Sequence, residues 1–389
     1  MNPTHNLHLI YIANSRIPTT KAHGFQIMKM CEAFSRAGAD VELWIPRRFN
    51  PIKDLPFRYY DMREVFDIKK LPVLDLIPLS KVLGPIANMV ESVSFAFFVL
   101  LRLSKTHVDL IYSRDQFVLW FLSFFKNNIV HEVHSFPRNP RVYKRIWLRA
   151  RKIVTITQGL KDLIARQGID AAKIIVAPDG VDIELFNLIC QSKEELRLEL
   201  NLSKEEFFVG YVGKFKTLGM EKGIHTMIES LALLGRDIKM VFVGGEENEI
   251  KEYKALASRF NVLPRCVFIG YQPYSKAVRY IKAMDVLAIP FPDRPHYAFY
   301  ASPLKLFEYM ASGRPIIASD LPALREILNE KNGLFFRPES AEDFAKAIRM
   351  LKASNMLGYH LSQQALADVK NYTWKCRAGK ILDFIGNKI

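Results

Sequence analysis

A chain of 389 residues is long enough for two domains with separate cores, and 49% hydrophobic with 24% charged residues excludes a disordered polymer. Its formal net charge of +15 favours anionic partners: phosphorylated substrates, acidic lipid or nucleic acid. The four cysteines, Cys31, Cys190, Cys266 and Cys376, are far apart without a CxxC pair, which fits a reducing, cytoplasmic compartment and argues against a structural zinc site.

In chain order, His8–Ala13 reads as an apolar strand, with no charged-then-apolar leader before it. Pro18–Gly24 is a loop carrying Lys21, His23 and Gly24, and Phe25–Ala37 has helical periodicity through Ile27, Met30, Cys31 and Phe34. Val41–Ile45 is the next strand. The apolar run Val93–Leu101 lies between Glu91 and Arg102, too short for the roughly twenty residues a bilayer span needs. It and the run Phe117–Phe125 read as buried helices, with shallow membrane contact as the alternative.

Leu110–Tyr112, Asn128–Val133 and Lys152–Thr157 are further short strands separated by helical segments. His131 and His134 sit at the end of the middle one, His131 deeper and read as a hydrogen-bonded core histidine. The run Arg138–Lys152 interleaves basic residues with Val142, Ile146, Trp147 and Leu148. A helix there would have a basic face and an apolar face carrying Trp147, a pattern that suits either an anionic membrane or packing on the domain.

Val176–Val181 reads as a strand ending in a turn, and the polar stretch Leu185–Glu206 is the expected hinge. A second strand–helix alternation begins at Phe207–Val212 and continues with Lys239–Val243, Val267–Gly270, Val286–Ile289, Pro315–Ser319 and Gly333–Phe336. Alternation of this kind predicts parallel sheets, with a ligand cleft at the carboxyl ends of the strands. Tyr372–Phe384 reads as a final amphipathic helix.

Two stretches of the second half carry the chemistry. In Gly210–Gly223, GYVGKFKTLGMEKG, a strand runs into a loop with Gly213, Lys214, Lys216 and Lys222, whose cations suit a diphosphate, with Lys216 facing solvent. In Ala301–Asp320, ASPLKLFEYMASGRPIIASD, Ser302 is expected as N-cap and Pro303 as first helical residue, and Gly313 ends the helix. A capped helix start suits phosphate. Glu308 is placed to reach a hydroxyl-rich group, or else to form an exposed pair with Lys305.

These two stretches resemble the donor-binding domain of GT-B nucleotide-sugar glycosyltransferases, glycosyltransferase family 4. The resemblance implies an α/β chain of two Rossmann-like domains facing each other across a cleft. It places an N-terminal acceptor-binding domain at 1–188, a nucleotide-sugar-binding domain at 189–371, and a helix at 372–389 that returns to the N-terminal domain. Lys214 and Lys222 then match cations that hold the leaving diphosphate. Glu308 matches a carboxylate on the ribose. His134 matches a histidine near the donor sugar, Gly24 a glycine of the loop over the donor phosphates, and Gly244 a glycine-rich turn beside the nucleotide. Leu304 and Lys305 fall in the donor helix. The family's first motif Glu falls on Tyr300, and Ser302-Pro303-Leu304 replaces the common aromatic-Gly-aliphatic turn.

The implied activity is retaining transfer of a sugar to a glycan or lipid-linked acceptor, as in cell-envelope polysaccharide synthesis. No Asp-x-Asp occurs in the sequence, so lysines and a helix start are expected to replace a metal. A nucleotide-sugar 2-epimerase of the same fold, or a non-catalytic nucleotide-binding relative, is the alternative. Clustered aromatics with basic residues on strands are absent, which argues against nucleic acid.

Overall fold

The computed structural model describes residues 7–217 and 219–386. The chain divides into two compact units, one running to Pro178 and completed from Trp374 onward, the other Asp179–Thr373.

The first unit carries a sheet of seven parallel strands: β1 (His8–Ile12), β2 (Asp40–Pro46), β3 (Asp67–Leu71), β4 (Leu110–Ser113), β5 (Ile129–Val133), β6 (Lys152–Thr155) and β7 (Ile174–Val176). Their order is β3-β2-β1-β4-β5-β6-β7. β3, DIKKL, is an edge strand whose charged side chains remain at the surface. That polarity hides it from a search for apolar runs.

In the second unit β8 (Phe207–Val212) is followed by a two-stranded antiparallel hairpin, β9 (Lys216–Thr217) and β10 (Met220–Glu221). Then come β11 (Ile238–Gly245), β12 (Cys266–Gly270), β13 (Val286–Ile289), β14 (Ile316–Ser319) and β15 (Leu334–Phe336). The main sheet is parallel, ordered β12-β11-β8-β13-β14-β15. The order reverses between β1 and β4 in one unit and between β8 and β13 in the other, the points where such sheets take ligands beyond their carboxyl ends.

The helices used below are α1 (Ala22–Arg36), α2 (Pro85–Leu103), α3 (Gln116–Leu122), α4 (Pro140–Arg149), α5 (Ile224–Leu231), α6 (Tyr274–Ala283), α7 (Leu304–Ala311) and α8 (Trp374–Ile385). α2 extends well beyond the run Val93–Leu101 and is long and apolar enough to cross a membrane, contrary to the sequence expectation. α2 is buried on one side only, whereas every residue of α3 is buried or half-buried.

The unit boundary falls at Pro178/Asp179 instead of 188/189, and the second unit runs to Thr373 instead of 371. The reason is packing. Val181 and Phe186 enter the second unit's core beside Leu196 and Met284, so the expected hinge belongs to that unit. α8 packs on α1, and the Arg151 guanidinium donates to the Ile385 carbonyl at 3.0 Å.

Tyr309 fastens α7 to the end of β8. Its hydroxyl accepts from Val212 N at 2.8 Å and donates to Val212 O at 3.3 Å in a buried position. Tyr309→Phe leaves that amide without its acceptor and is expected to cost about 1–3 kcal/mol, measured by thermal unfolding.

Candidate active site

In the second unit the site is built on close backbone approach. Gly213 follows β8 with φ +131° and donates its N–H to the Val243 carbonyl at 2.8 Å. Gly244 has φ +107°, and a Cβ there would lie 2.9 Å from Gly213 O. Two glycine turns therefore lie against each other at the carboxyl ends of β8 and β11. Gly223 precedes α5 with φ +84°, and a Cβ there would fall 1.6 Å from Pro290 O, just past β13. No other residue fits that junction, which brings Lys222 to the switch point.

Burial, then Lys214, pushes the Lys222 ammonium down to about 8, with Glu249 opposing. Lys214 is half-buried, and its carbonyl accepts from the Tyr211 hydroxyl at 2.8 Å. Lys216 is taken by Glu252 at 2.6 Å, so it pairs with a carboxylate instead of simply facing solvent.

α7 differs from expectation at its start. Pro303 is the N-cap, α7 begins at Leu304, and no side chain caps it. The Ser302 hydroxyl accepts instead from Asp179 N at 2.9 Å, so Ser302 anchors the chain and leaves the first amides of α7 uncapped. Gly313 ends the helix region with φ +70°, as expected.

Lys305 and Glu308 form no exposed pair. Lys305 is 8% exposed, its Nζ lies 3.4 Å from the centroid of the Tyr211 ring, and it has no hydrogen-bond partner among the described residues. A Cβ on Gly213 would come 3.0 Å from that Nζ. The ammonium thus sits beneath the Gly213 turn, held well below the ordinary lysine range by burial and then Lys222, with Glu308 opposing. Burial pushes Glu308 up to about 7 against Lys305 and a hydrogen bond from Tyr274 on α6. Tyr300 ends a π-helical turn, His296–Tyr300, and is half-buried.

Three lysines, two glycine turns and an uncapped helix start therefore meet in one unit, with a carboxylate on the same helix. This combination neutralises an anion and accepts from hydroxyls. Among the described residues no group of three or more His, Cys, Asp or Glu is placed to hold a metal ion. A groove of about 690 Å³ along β15, containing Asp320, Arg325 and Glu330, shares no residue with this set.

The first unit gathers a different constellation at the end of β5. Glu132 is fully buried and accepts from Gln26 Nε2 at 2.7 Å, Arg377 Nη2 at 3.0 Å, His134 Nε2 at 2.5 Å and the Tyr112 hydroxyl. Burial alone would raise its pKa, but Arg377 and then His134 outweigh that and hold it well below the usual carboxylate range. A carboxylate only accepts, so His134 carries its proton on Nε2 and presents Nδ1 as a lone pair. Burial and then Arg114 push His134 down to about 4, so the imidazole is neutral at pH 7.

His131 is buried as expected, but the expected hydrogen bond is missing among the described residues. Neither ring nitrogen has a partner among the described residues, and burial pushes it down to about 3. Gly24 lies in the first turn of α1 and not in the preceding loop. Its need for glycine is steric, because a Cβ would lie 2.3 Å from the Tyr60 hydroxyl, which clamps Thr19. Trp147 is buried and stacked on Phe136, so it belongs to the core and not to an exposed apolar face.

Sequence reasoning missed Glu132 and Arg377. The available signal was a carboxylate inside the apolar strand IVHEV and an arginine on the buried side of α8.

Two family models match the chain: "Glycosyltransferase Family 4" over residues 24–185 and "Glycosyl transferases group 1" over residues 206–354. A D-inositol 3-phosphate glycosyltransferase of Xylanimonas cellulosilytica is 24% identical over 239 residues, covering 59% of this chain and 55% of that protein. The putative teichuronic acid biosynthesis glycosyltransferase TuaH of Bacillus subtilis is 23% identical over 216 residues, covering 55% and 51%. The chain thus spans about half the length of these curated relatives. HepE of Anabaena, solved in complex with UDP, superposes with TM-score 0.73 at 19% identity over 98% of this chain and 100% of that one. With both halves matched by family models and both sheets in the doubly wound parallel order, the chain belongs to the GT-B-fold glycosyltransferases of family 4, the group 1 glycosyl transferases.

Proposed function

We propose that the protein moves a sugar, with retention of anomeric configuration, from a nucleotide-diphosphate sugar to a glycan or lipid-linked acceptor of a cell-envelope polysaccharide. The observation that carries this reading is the meeting of Lys214, Lys222 and Lys305 with the Gly213 and Gly244 turns at the uncapped start of α7. Cleaving the sugar–phosphate bond builds negative charge on the leaving diphosphate. Cations and amides fixed there stabilise the transition state more than the ground state, without a metal.

Glu308 is assigned the ribose hydroxyls, and Tyr300 a donor-sugar contact in place of a carboxylate. The leaving diphosphate itself takes the acceptor's proton, so no covalent enzyme intermediate is needed. In the first unit the Nδ1 lone pair of His134 is assigned to a sugar hydroxyl. A pocket of about 270 Å³ at the carboxyl ends of β1 and β2 includes Arg16, Arg48, Lys53 and Lys70 in its lining, and suits an anionic group on the acceptor. The kinship with a putative teichuronic acid enzyme supports the envelope setting, and the same reading puts the protein at the cytoplasmic face of a membrane.

The test is a donor screen over UDP-, GDP-, ADP- and dTDP-sugars, with mass spectrometry of lipid extracts for the product. One donor should be turned over slowly with water and rapidly with the extract. Conversion of the donor to an epimer without acceptor, or no turnover of any donor, would contradict the proposal.

A further inference from the structure

We propose that the face built by α2, α3 and α4 of the first unit docks on an anionic lipid bilayer. This deepens, and for its purpose rests on, the lipid-linked acceptor proposed above. Its geometry stands separately. Along α2 the side chains Ile86, Met89, Val93, Phe97 and Leu101 are all exposed, at spacings of three or four residues. They form one continuous apolar stripe along the helix. α3 packs beside α2 and α4 beside α3. Just past α3, Phe124 and Phe125 are exposed, and α4 adds Val142 and Leu148. Exposed large apolar side chains in this number on or just past three neighbouring helices mark an interaction site.

Charge selects the partner. Between Pro85 and Lys152 the only acidic residues are Glu91, Asp109, Asp115 and Glu132, and none is exposed. Each is engaged: Glu91 with Arg48, Asp109 with the His8 amide, Asp115 as the cap of α3, and Glu132 with Arg377. The exposed charges are all positive, among them Arg102, Lys105, Arg141, Arg145 and Arg149. The Arg145 guanidinium lies 3.9 Å from the centroid of the exposed Phe124 ring, so cation and apolar surface meet directly on this face. Apolar side chains ringed by unopposed cations match acyl chains beneath anionic headgroups.

The helix lies on the bilayer and does not cross it. Its other side, with Ala87, Phe95 and Val99, is packed into the domain, and buried Glu91 is bound to Arg48 at 2.5 Å. Arg48 also lines the basic pocket at the ends of β1 and β2. The docking face and the proposed acceptor pocket thus share a side-chain link within one unit.

Co-sedimentation of the full chain with phosphatidylglycerol-containing vesicles, against pure phosphatidylcholine vesicles, tests this. The chain should bind the anionic vesicles, release them at high salt, and ignore the neutral ones. Phe97→Glu should lower binding more than about tenfold, as should Arg145→Glu with Arg149→Glu, since each basic residue near the surface is worth about fivefold. Phe97→Ser gives the same test with a milder change, and circular dichroism confirms folding. No binding of the unaltered chain, or binding unchanged in these variants, overturns the proposal. A dimer that Phe97→Glu dissociates, without vesicle binding, also overturns it and identifies a second copy as the partner. Hydrolysis of a soluble donor separates the two readings. Vesicle binding without donor turnover defeats the transferase reading alone, and turnover without vesicle binding defeats the docking alone.

Discussion

Replacing Lys222 with Ala is expected to lower kcat about 100- to 1,000-fold, the loss typical of removing one fixed group that stabilises developing charge. The groups around Lys222 make this specific. Burial and then Lys214 lower its pKa, Glu249 opposes that, and its own charge weighs on His296 and Lys305. In the free enzyme the Lys222 ammonium is lost as pH rises through about 8. kcat/KM should therefore fall on the alkaline side of that value. A bound diphosphate favours the charged form, so the alkaline limb of kcat should lie at higher pH. Lys222→Arg keeps the charge and should erase the limb while retaining part of the activity. The double replacement of Lys214 and Glu308 by Ala should abolish donor turnover. Turnover surviving in that variant would remove the site assignment.

The second large effect concerns stability. Arg377→Met is expected to cost about 3–5 kcal/mol, because it strands the buried Glu132 carboxylate without its cation. Arg377 also donates to the carbonyls of Ala177 and Pro178, at 3.2 Å and 2.9 Å, so the change loosens the end of the first unit's chain as well. Urea unfolding followed by near-UV circular dichroism measures it. A loss below about 1 kcal/mol would show that Glu132 is neutralised by other means, since only surface pairs are that weak. The sign with pH follows from Glu132. Its folded pKa is depressed, so the stability it contributes is present above the unfolded carboxylate pKa and is lost as pH falls through the folded value.

The second unit was the more legible half. β8, β11, β12 and β13 are apolar runs that end at or just before Gly or Pro, and Phe207–Val212 and Val286–Ile289 fall where the periodicity puts them. The hairpin of β9 and β10 was not legible, because two-residue strands have no period to detect. β3 was missed for its charges, and the boundary at Pro178 for a polar stretch whose few apolar residues enter the second core.

At the site, the sequence reading singles out Lys214, Lys222 and Glu308 but misjudges their surroundings. A sequence places Lys305 and Glu308 one turn apart. It does not say that Tyr211 and Gly213 close over the lysine, or that Tyr274 reaches the carboxylate. Ser302 looked like a cap because local chemistry allows it; a partner more than a hundred residues away, Asp179 N, claims its hydroxyl instead. Long-range partners of this kind also made the Glu132 cluster invisible, since its donors come from α1, β4 and α8.

The central claim is that Lys214, Lys222, the Gly213 turn and the start of α7 form a diphosphate site needing no metal. Calorimetric titration with nucleoside diphosphates and monophosphates in the presence of EDTA tests it most directly. One diphosphate should bind at least about tenfold more tightly than its monophosphate, and Lys222→Ala should remove most of that difference. Equal affinity for the two nucleotides, or diphosphate binding abolished by EDTA, would contradict the account.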